Sequence, residues 1–161
     1  MRFNDSQKGF SLVELLVVVA VIGIIAAIAV PNLLASRRAA NEGSALSAMR
    51  TIHSAQVTYL NTAGSGDYGT LADLGTEGLV DTALGGGTRS GYTFDCPAGN
   101  ITSGPPPTYF ATAVPTSTAP LARTGHRSFT ISDDGRIRGK VADAGPATYA
   151  IATGGLWPVL N

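Results

Sequence analysis

The sequence has little of what catalytic and metal centres are usually built from. Cys96 is the only cysteine, and only two histidines occur among the 161 residues. A single cysteine excludes an intrachain disulfide and any metal site that needs several thiolates. Two histidines and no clustered carboxylates leave no nucleophile and base at a spacing that supports catalysis. We therefore expect no catalytic residues, no bound metal and no cofactor, and we expect that the protein is not an enzyme.

Charge is also scarce. The chain has 11 basic and 11 acidic residues, a formal net charge of +0, 14% charged residues and a mean hydropathy of +0.18. This balance gives no bulk electrostatic reason to expect nucleic-acid binding or disorder. The 20 glycines and 9 prolines crowd into the later part of the chain, which is typical of short strands joined by turns. The length predicts one domain plus an N-terminal segment.

The chain does contain one long apolar run, "KGFSLVELLVVVAVIGIIAAIAVP", at residues 8–31. Between Phe10 and Val30 only Ser11 and Glu14 are clearly polar. As a helix this stretch would reach about 31 Å, close to the roughly 30 Å hydrocarbon core of a bilayer. The segment before Phe10 is short, polar and slightly basic. We therefore expect this segment to stay in the cytoplasm and the bulk of the chain to lie outside.

Three interpretations of the run compete, and the acid helps to choose between them. They are a plain membrane anchor, a cleaved secretory signal and a helix that packs against copies of itself. The "AIA" at residues 27–29 imitates a small-residue cleavage site, but a secretory signal's apolar core is shorter and lacks a charge such as Glu14. A carboxylate at mid-membrane costs on the order of 2.5 kcal/mol or more, and less near a helix end. We therefore expect Glu14 to have a cationic partner.

The residues around the start of this run resemble the class III signal of type IV pilins and type II secretion pseudopilins. That signal is a short basic leader ending in Gly, followed by Phe and by Glu as the fifth mature residue, here Gly9, Phe10 and Glu14. The resemblance implies that a prepilin peptidase cleaves between Gly9 and Phe10 and methylates the new amino group of Phe10. That amine would be the missing cation, one helical turn from Glu14 or on a neighbouring subunit, where the pairing sets the stagger of the filament.

Gly23 and Pro31 are predicted to make the helix flexible. Proline removes one backbone hydrogen bond and clashes with the preceding turn, so we expect a local kink or loss of helix between the two residues. The resemblance implies that subunits lose helix in this interval on assembly. Gly23 and the neighbouring alanines also allow helix backbones to approach closely.

The resemblance implies an α+β fold, in which a long N-terminal hydrophobic helix packs on a small antiparallel β-sheet. Periodicity extends the helix to about Asn61 and places Leu46, Met49, Ile52, Val57 and Leu60 on one apolar arc. Four strands are predicted, at residues 91–96, 109–114, 127–132 and 136–141, the last two joined by a turn at Asp133, Asp134 and Gly135. The predicted division is a leader at 1–9, an assembly helix at 10–31, an amphipathic helix at 32–62, an αβ loop at 63–90, a sheet at 91–142 and a tail at 143–161.

The remaining candidate sites each have a simpler structural interpretation. Arg136, Arg138 and Lys140 share one strand face and could contact DNA or another anion, although a solvated face is common. His53, on the apolar arc, is expected to be a hydrogen-bonded core or rim residue, and Cys96 a small buried one. The aspartates at 133, 134 and 143 could suggest a calcium site, but a turn with Asp at its preferred positions explains them better. The triplet at 100–102 fits a glycosylation sequon, but such a common triplet is only weak evidence for glycosylation.

The predicted function is that of a structural subunit that polymerises through its N-terminal helix into a type IV pilus or a type II secretion pseudopilus. The partners would be copies of itself, a prepilin peptidase and the assembly machinery. The subunit would lie in the bacterial inner membrane first and in a periplasmic or cell-surface filament afterwards. Two alternatives stay open. One is a DNA-uptake pseudopilin that binds DNA through the basic strand face, and the other is a monomeric membrane-anchored periplasmic domain.

Overall fold

The structure, a computed structural model, describes residues 9–97, 106–119, 122–142 and 144–160. The chain divides into two compact units, Met1–Ser36 and Arg37–Asn161. One helix, α1 (Leu12–Asn61), contributes its first half to the first unit and its second half to the second. The predicted sequon at 100–102 and Asp143 lie outside the described residues, as does most of the predicted leader.

The first unit consists of the apolar half of α1. Its large hydrophobic side chains are exposed, from Phe10 at 86% to Leu33 at 68%, except that of Leu34, which is partly buried. The most apolar stretch of α1 has a mean hydropathy of 3.0, and none of it is buried. By length and composition this helix can cross a membrane, and no other helix in the described part of the chain meets that test.

The second unit begins with the amphipathic half of α1, which ends at Asn61 as the periodicity predicts. Its buried side chains are Ala45, Ala48, Met49, Ile52, Ala55 and Gln56. The buried face is therefore centred on small residues, which let the helix lie close to the sheet. Val57 was expected on this face but is 41% exposed. Gln56 is fully buried, and its Nε2 and Oε1 atoms bond the backbone carbonyl and amide of Gly69 at 2.6 and 3.0 Å.

The segment between α1 and the sheet forms two short helices and one strand. These are α2 (Leu71–Thr76), α3 (Thr82–Gly85) and β1 (Thr88–Arg89). Helix α2 begins with a capping box, in which Thr70 and Asp73 each bond the other's backbone N–H. Asp81 caps α3 by accepting a hydrogen bond from the Leu84 N–H. This region was predicted as a connecting loop with short helical turns, and strand β1 was not predicted.

Five strands form one antiparallel sheet in the order β1-β2-β3-β4-β5. The four long strands are β2 (Tyr92–Asp95), β3 (Phe110–Pro115), β4 (Ser128–Ser132) and β5 (Ile137–Lys140), each within one residue of the prediction at either end. The hairpin from β4 to β5 turns at Gly135, whose φ of +70° lies in the left-handed region that favours glycine. The predicted α+β fold, with a long helix packed on a small antiparallel sheet, is confirmed.

The two faces of the sheet differ in chemistry. Phe129 and Ile131 of β4 belong to the apolar core shared with α1, as the alternation predicts. The other face carries Thr112, Ser128, Thr130, Ser132 and Arg138, and all of them are buried. A solvated face was expected for the basic side chains of β5, so Arg138 is a correction.

The C-terminal segment covers this polar face. Helix α4 (Tyr149–Thr153) contacts β4, and Ala142 accepts a hydrogen bond from the Ser128 hydroxyl at 2.6 Å. The chain then returns beside β5, where the Gly139 N–H donates to the Pro158 carbonyl and the Leu160 N–H to the Ile137 carbonyl. Trp157 is 5% exposed. The segment therefore acts as a third layer and protects the β5 edge from pairing with another chain.

Candidate functional site

The predicted processing site and the acid lie at the start of the first unit. Gly9 and Phe10 precede the first residue of α1, and both are exposed. Glu14 lies in the first turn of the helix, where a negative charge is favoured by the unbonded N–H groups. Among the described residues no salt bridge involves Glu14, so the described part of the chain does not supply the cationic partner that the sequence led us to expect.

Gly23 and Pro31 lie inside a helix that is continuous in this single chain. A side chain at position 23 would meet nothing within 4 Å. Near Pro31 the Asn32 side chain donates a hydrogen bond to the Ile28 carbonyl at 3.1 Å, one turn before it. No break in the helix lies between the two residues in this chain, and the kink or loss of helix expected there is not tested by that observation. Flexibility at these positions during assembly stays a prediction.

The structure separates the three members of the predicted basic strand face. Arg138 is 6% exposed, and its guanidinium donates to both carboxylate oxygens of Asp134, at 3.2 and 2.5 Å. Arg136 lies at the hairpin end of the sheet, whereas Lys140 pairs in register with Ser128 at the opposite end. Only Arg136 and Lys140 are exposed. Because Arg138 is engaged inside the fold, the three side chains do not form one accessible anion-binding surface.

Asp134 organises the β4–β5 turn. Besides Arg138, its carboxylate accepts hydrogen bonds from the Ser132 hydroxyl at 2.8 Å and the Arg136 N–H at 3.0 Å. Burial acts to raise the pKa of Asp134, but the hydrogen bonds from Arg138, Arg136 and Ser132 outweigh it and lower the pKa to about 2. Its neighbour Asp133 accepts a hydrogen bond from the Tyr149 hydroxyl at 2.6 Å. The aspartates therefore serve the turn and the C-terminal segment, and the described residues contain no cluster suited to a metal.

His53 and Cys96 have structural surroundings, as expected. The His53 Nδ1 atom shares a hydrogen bond of 2.7 Å with the hydroxyl of fully buried Tyr109. Cys96 is 2% exposed, and its Sγ accepts a hydrogen bond from Gln56 at 3.3 Å. Burial raises the pKa of the Cys96 thiol to about 12, so the reactive thiolate is strongly disfavoured. Cys96 also lines an open depression of about 330 Å³ beside α2 and α3.

Sequence reasoning missed a set of polar contacts at the end of the second unit where the chain enters it. Glu42 of α1 accepts hydrogen bonds from the His126 N–H at 2.8 Å, the Arg127 N–H at 3.3 Å and the Arg127 Nε at 3.0 Å. The side chains of Asn41 and Arg38 donate to the carbonyls of residues 124 and 123, at 2.9 and 3.2 Å. These contacts hold the loop before β4 against the helix.

The loop brings its basic residues beside those of the helix. Arg38 Nη1 lies 3.4 Å from His126 Nε2. We call the four basic residues brought together by these contacts the basic cluster: Arg38, Arg123, His126 and Arg127. Glu42 accepts hydrogen bonds from two of these residues, His126 and Arg127. Arg123, His126 and Arg127 lie close together along the chain, but nothing local indicated that Arg38 of α1 would join them.

Comparisons with known proteins agree with the N-terminal pattern. Residues 4–30 match the family model described as the prokaryotic N-terminal methylation motif. That range contains the glycine, the phenylalanine and the acid on which the sequence prediction depends. The chain therefore resembles the class of proteins that carry an N-terminal methylation motif at the start of an exposed apolar helix.

Three curated proteins are similar to parts of the chain. The type IV major pilin protein PilA of Myxococcus xanthus is 32% identical over 99 residues, which is 62% of this chain and 42% of that protein. The type II secretion system core protein G of Escherichia coli is 37% identical over 59 residues, 37% of this chain and 41% of that protein. The type IV wide pilus major component PilA4 of Thermus thermophilus is 57% identical over 37 residues, 23% of this chain and 28% of that protein.

The chain thus spans less than half the length of the curated relatives it matches. No solved structure matches it significantly. The motif and the partial matches support the resemblance to type IV pilins and type II secretion pseudopilins that the sequence predicts. The relatives bear the names of pilus and secretion-system components, which agrees with the expectation that this protein is not an enzyme.

Proposed function

We propose that this protein is a structural subunit that polymerises through its N-terminal helix into a type IV pilus or a type II secretion pseudopilus. The observation that carries the proposal is a single acid, Glu14, in the apolar half of α1, where every large hydrophobic side chain except that of Leu34 is exposed. The second unit has a buried core of its own, formed by side chains from Ala45 onward. The apolar half of α1 is thus left for lipid and for other subunits.

Lipid alone does not explain the acid. Helices already in a membrane gain little from burying more hydrocarbon against each other, so their association depends on close fit and polar links. Gly23 and the alanines at 26, 27 and 29 permit a close fit, and Glu14 supplies a polar link. A carboxylate without a partner is costly in hydrocarbon, so an amine from a neighbouring copy would favour the assembled state.

That amine would be the amino group of Phe10, released by cleavage after Gly9 and then methylated. Both residues are exposed ahead of the helix, which is the accessibility a peptidase requires. The proposed partners are a prepilin peptidase, copies of the chain and an assembly machinery. The subunit would wait in the inner membrane and then enter a periplasmic or surface filament, with Gly23 and Pro31 allowing the helix to loosen. The division into a leader at 1–9, an assembly helix at 10–31 and the segments beyond it belongs to the same proposal.

The alternative of DNA uptake finds no support in the geometry of the basic strand. Arg138 points into an ion pair, and Arg136 and Lys140 lie at opposite ends of the sheet. A phosphate-binding strand face needs its cations side by side and accessible. The other alternative, an anchored monomer, is separated from the filament subunit by experiment.

The first test is the mature N-terminus. Mass spectrometry of the protein from its native membranes should find an N-methylated phenylalanine, Phe10, as the first residue. Retention of Met1, or cleavage near residues 27–30, would contradict the processing step and with it the source of the amine.

The second test compares two acids. A Glu14→Gln variant should be processed and accumulate normally but should assemble few filaments by electron microscopy. The matched control is Glu77→Gln, which removes an exposed acid from the second unit. Filaments of normal number and geometry from the Glu14→Gln variant would refute the assembly role. Loss of filaments from both variants would show that the assay reports general damage.

A further inference from the structure

Charge is unevenly distributed within the second unit, although the chain as a whole is neutral. Residues 62–97, which include α2, α3, β1 and β2, contain five acidic residues and one basic residue. Residues 122–142, which include β4 and β5, contain four arginines, one lysine and two aspartates. The strand order β1-β2-β3-β4-β5 puts these two segments at opposite edges of the sheet. One edge of the second unit is therefore acidic and the other is basic.

The acidic edge contains the open depression of about 330 Å³ beside α2 and α3. Leu71 and Phe94 are apolar members of its lining, and the three glycines at 85–87 keep one part of the lining free of side chains. Thr70 and Asp95 are polar members, and Asp95 is exposed. Among the described residues no salt bridge involves Asp95. The depression is therefore suited to an apolar side chain that has a cation beside it.

The basic edge exposes such side chains. Val141 and Leu156 are each 68% exposed, and Val159 is 42% exposed. Val159 pairs with Arg138 of β5 in an antiparallel bridge, so the residues before Val159 run alongside the end of β5 and bring Leu156 near it. Lys140, the last residue of β5, is exposed as well. We call Lys140, Val141, Leu156 and Val159 the C-terminal edge, which combines three aliphatic side chains with one cation.

The depression and the C-terminal edge are complementary to each other but not to themselves. A twofold contact would put the same surface of each copy face to face, with carboxylate against carboxylate or cation against cation. A contact between the depression of one copy and the C-terminal edge of the next leaves each copy with one surface still available. Such a contact can repeat without closing and produces an open chain of subunits.

We propose that the depression beside α2 and α3 receives the C-terminal edge of a second copy of this chain, with Lys140 of one copy beside Asp95 of the other. This inference rests on the proposed polymerisation and gives the second units a head-to-tail contact of their own. Burial of Leu156 and its aliphatic neighbours favours the contact, since their exposed surface leaves water. The charge pair selects this orientation over the twofold one.

The first experiment cross-links the full chain in filaments isolated from cells. Ala72→Cys marks the lining of the depression and Leu156→Cys marks the C-terminal edge, both at exposed positions. A chain with both substitutions, treated with a short bis-maleimide, should give a ladder of dimers, trimers and longer species on denaturing gels. Each single variant should stay monomeric, because buried Cys96 does not react. The matched control joins Leu156→Cys with Thr58→Cys, an exposed position on α1, and should give no ladder.

The pattern of products separates the proposed contact from other arrangements. Dimers without longer species, or dimers from a single variant, would show a twofold contact and overturn the head-to-tail proposal. Filaments without any link between positions 72 and 156, or an equal ladder from the control, would overturn it as well. A link from position 72 to a different protein would assign the depression to that protein instead. Failure of the wild-type chain to form filaments would contradict the proposed function on which the inference rests.

The second experiment reverses charges without adding cysteines, so it applies even where the cysteine variants assemble poorly. Replacing attraction by repulsion at an exposed ion pair changes an equilibrium about fivefold, so Lys140→Glu should lower the number of filaments seen by electron microscopy by about that factor. Adding Asp95→Lys to Lys140→Glu restores an opposite-charge pair and should recover most filaments. The matched control, Arg136→Glu, reverses an exposed charge at the hairpin end of β5 and should change nothing.

Normal filament numbers from Lys140→Glu would overturn the pairing of Lys140 with Asp95. An equal loss from Arg136→Glu would do so too, because the loss would then follow net charge rather than position. A chain with both Lys140→Glu and Asp95→Lys that recovers no filaments would show that the two side chains do not face each other, and would overturn the proposed contact.

Discussion

The ion pair between Asp134 and Arg138 allows a sharp test of the structure, because its two members differ in burial. The Arg138 side chain is 8% exposed and that of Asp134 is 34% exposed. The guanidinium also donates to the Ser132 hydroxyl at 3.2 Å and to the Arg136 carbonyl at 3.3 Å. An Asp134→Ala substitution would leave a buried cation with two neutral acceptors and no counter-charge.

The expected cost follows from that difference. Breaking a buried ion pair by removing one partner costs about 3–5 kcal/mol. Because water reaches about a third of Asp134, some of it can enter and hydrate the cation, so we expect about 2–3 kcal/mol for Asp134→Ala. An Arg138→Met substitution removes the buried charge and leaves the accessible carboxylate with its bonds from Ser132 and Arg136. The free energy of unfolding of the Arg138→Met variant should fall by only about 1 kcal/mol. The double variant, Asp134→Ala with Arg138→Met, should have a similar stability.

Urea unfolding of the full chain in detergent micelles would measure these costs. Trp157 is the only tryptophan and is 5% exposed, so its fluorescence reports the C-terminal layer, while circular dichroism reports the rest. The midpoints should rank wild type, Arg138→Met and Asp134→Ala in falling order. Equal losses of unfolding free energy in the two single variants would refute the difference that we derive from the burial of Arg138 and the exposure of Asp134. A double variant whose loss equals the sum of the two single losses would refute it as well.

Acid should reproduce the effect in the wild type. The pKa of Asp134 is about 2 in the folded chain, below the value of 3.8 for a free carboxyl. A carboxyl with a lowered pKa stabilises the fold above its unfolded pKa, and the stabilisation is lost as the pH falls through the folded pKa. The difference in unfolding free energy between wild type and Arg138→Met should therefore narrow between about pH 4 and about pH 2. A difference that stays constant over this range would mean that Asp134 does not carry it.

Three further predictions follow from other contacts. Glu42→Gln removes the charge that accepts three hydrogen bonds from the loop before β4, and should lower the free energy of unfolding by about 1–2 kcal/mol; a thermal shift no larger than that of Glu77→Gln would contradict this role. Trp157→Ala should cost about 3–5 kcal/mol by circular dichroism, because the ring is the largest buried group of the C-terminal segment, and a cost under about 1 kcal/mol would mean that the segment contributes little. Cys96, with its pKa raised to about 12, should react with a maleimide roughly 1,000-fold more slowly in the native chain than in urea at neutral pH, as followed by mass spectrometry; equal rates would show that the thiol is accessible.

Much of the fold could be predicted because its signals are local. The end of α1 at Asn61, the four long strands and the turn at Gly135 all follow from periodicity and turn residues. The N-terminal prediction depended on three residues at fixed spacing, and the matched methylation motif covers them. Each of these features is specified within a few positions of the residues that form it.

What could not be predicted depends on contacts between distant segments. By alternation Arg138 and Thr130 lie on the face opposite Phe129 and Ile131, but nothing in β5 indicated that residues 144–160 would cover that face. The same is true of Glu42, whose partners lie more than 80 positions away in the chain. Val57 was placed on the buried arc because it is apolar, whereas the small side chains of Ala48 and Ala55 determine which side of α1 approaches the sheet.

The polar outer face of the sheet has a consequence for the order in which the chain is made. Residues 144–160 follow the strands in the chain and leave the ribosome after them, so every nascent chain passes through a stage in which strands β3 to β5 exist without their cover. The surface then open to water consists mainly of hydroxyl groups and one guanidinium, with Phe110 as its large apolar exception. A nascent chain at this stage exposes little apolar surface through which it could aggregate with other nascent chains. The hydroxyl-rich face therefore makes the nascent chain less prone to aggregate before residues 144–160 cover the sheet than an apolar face would.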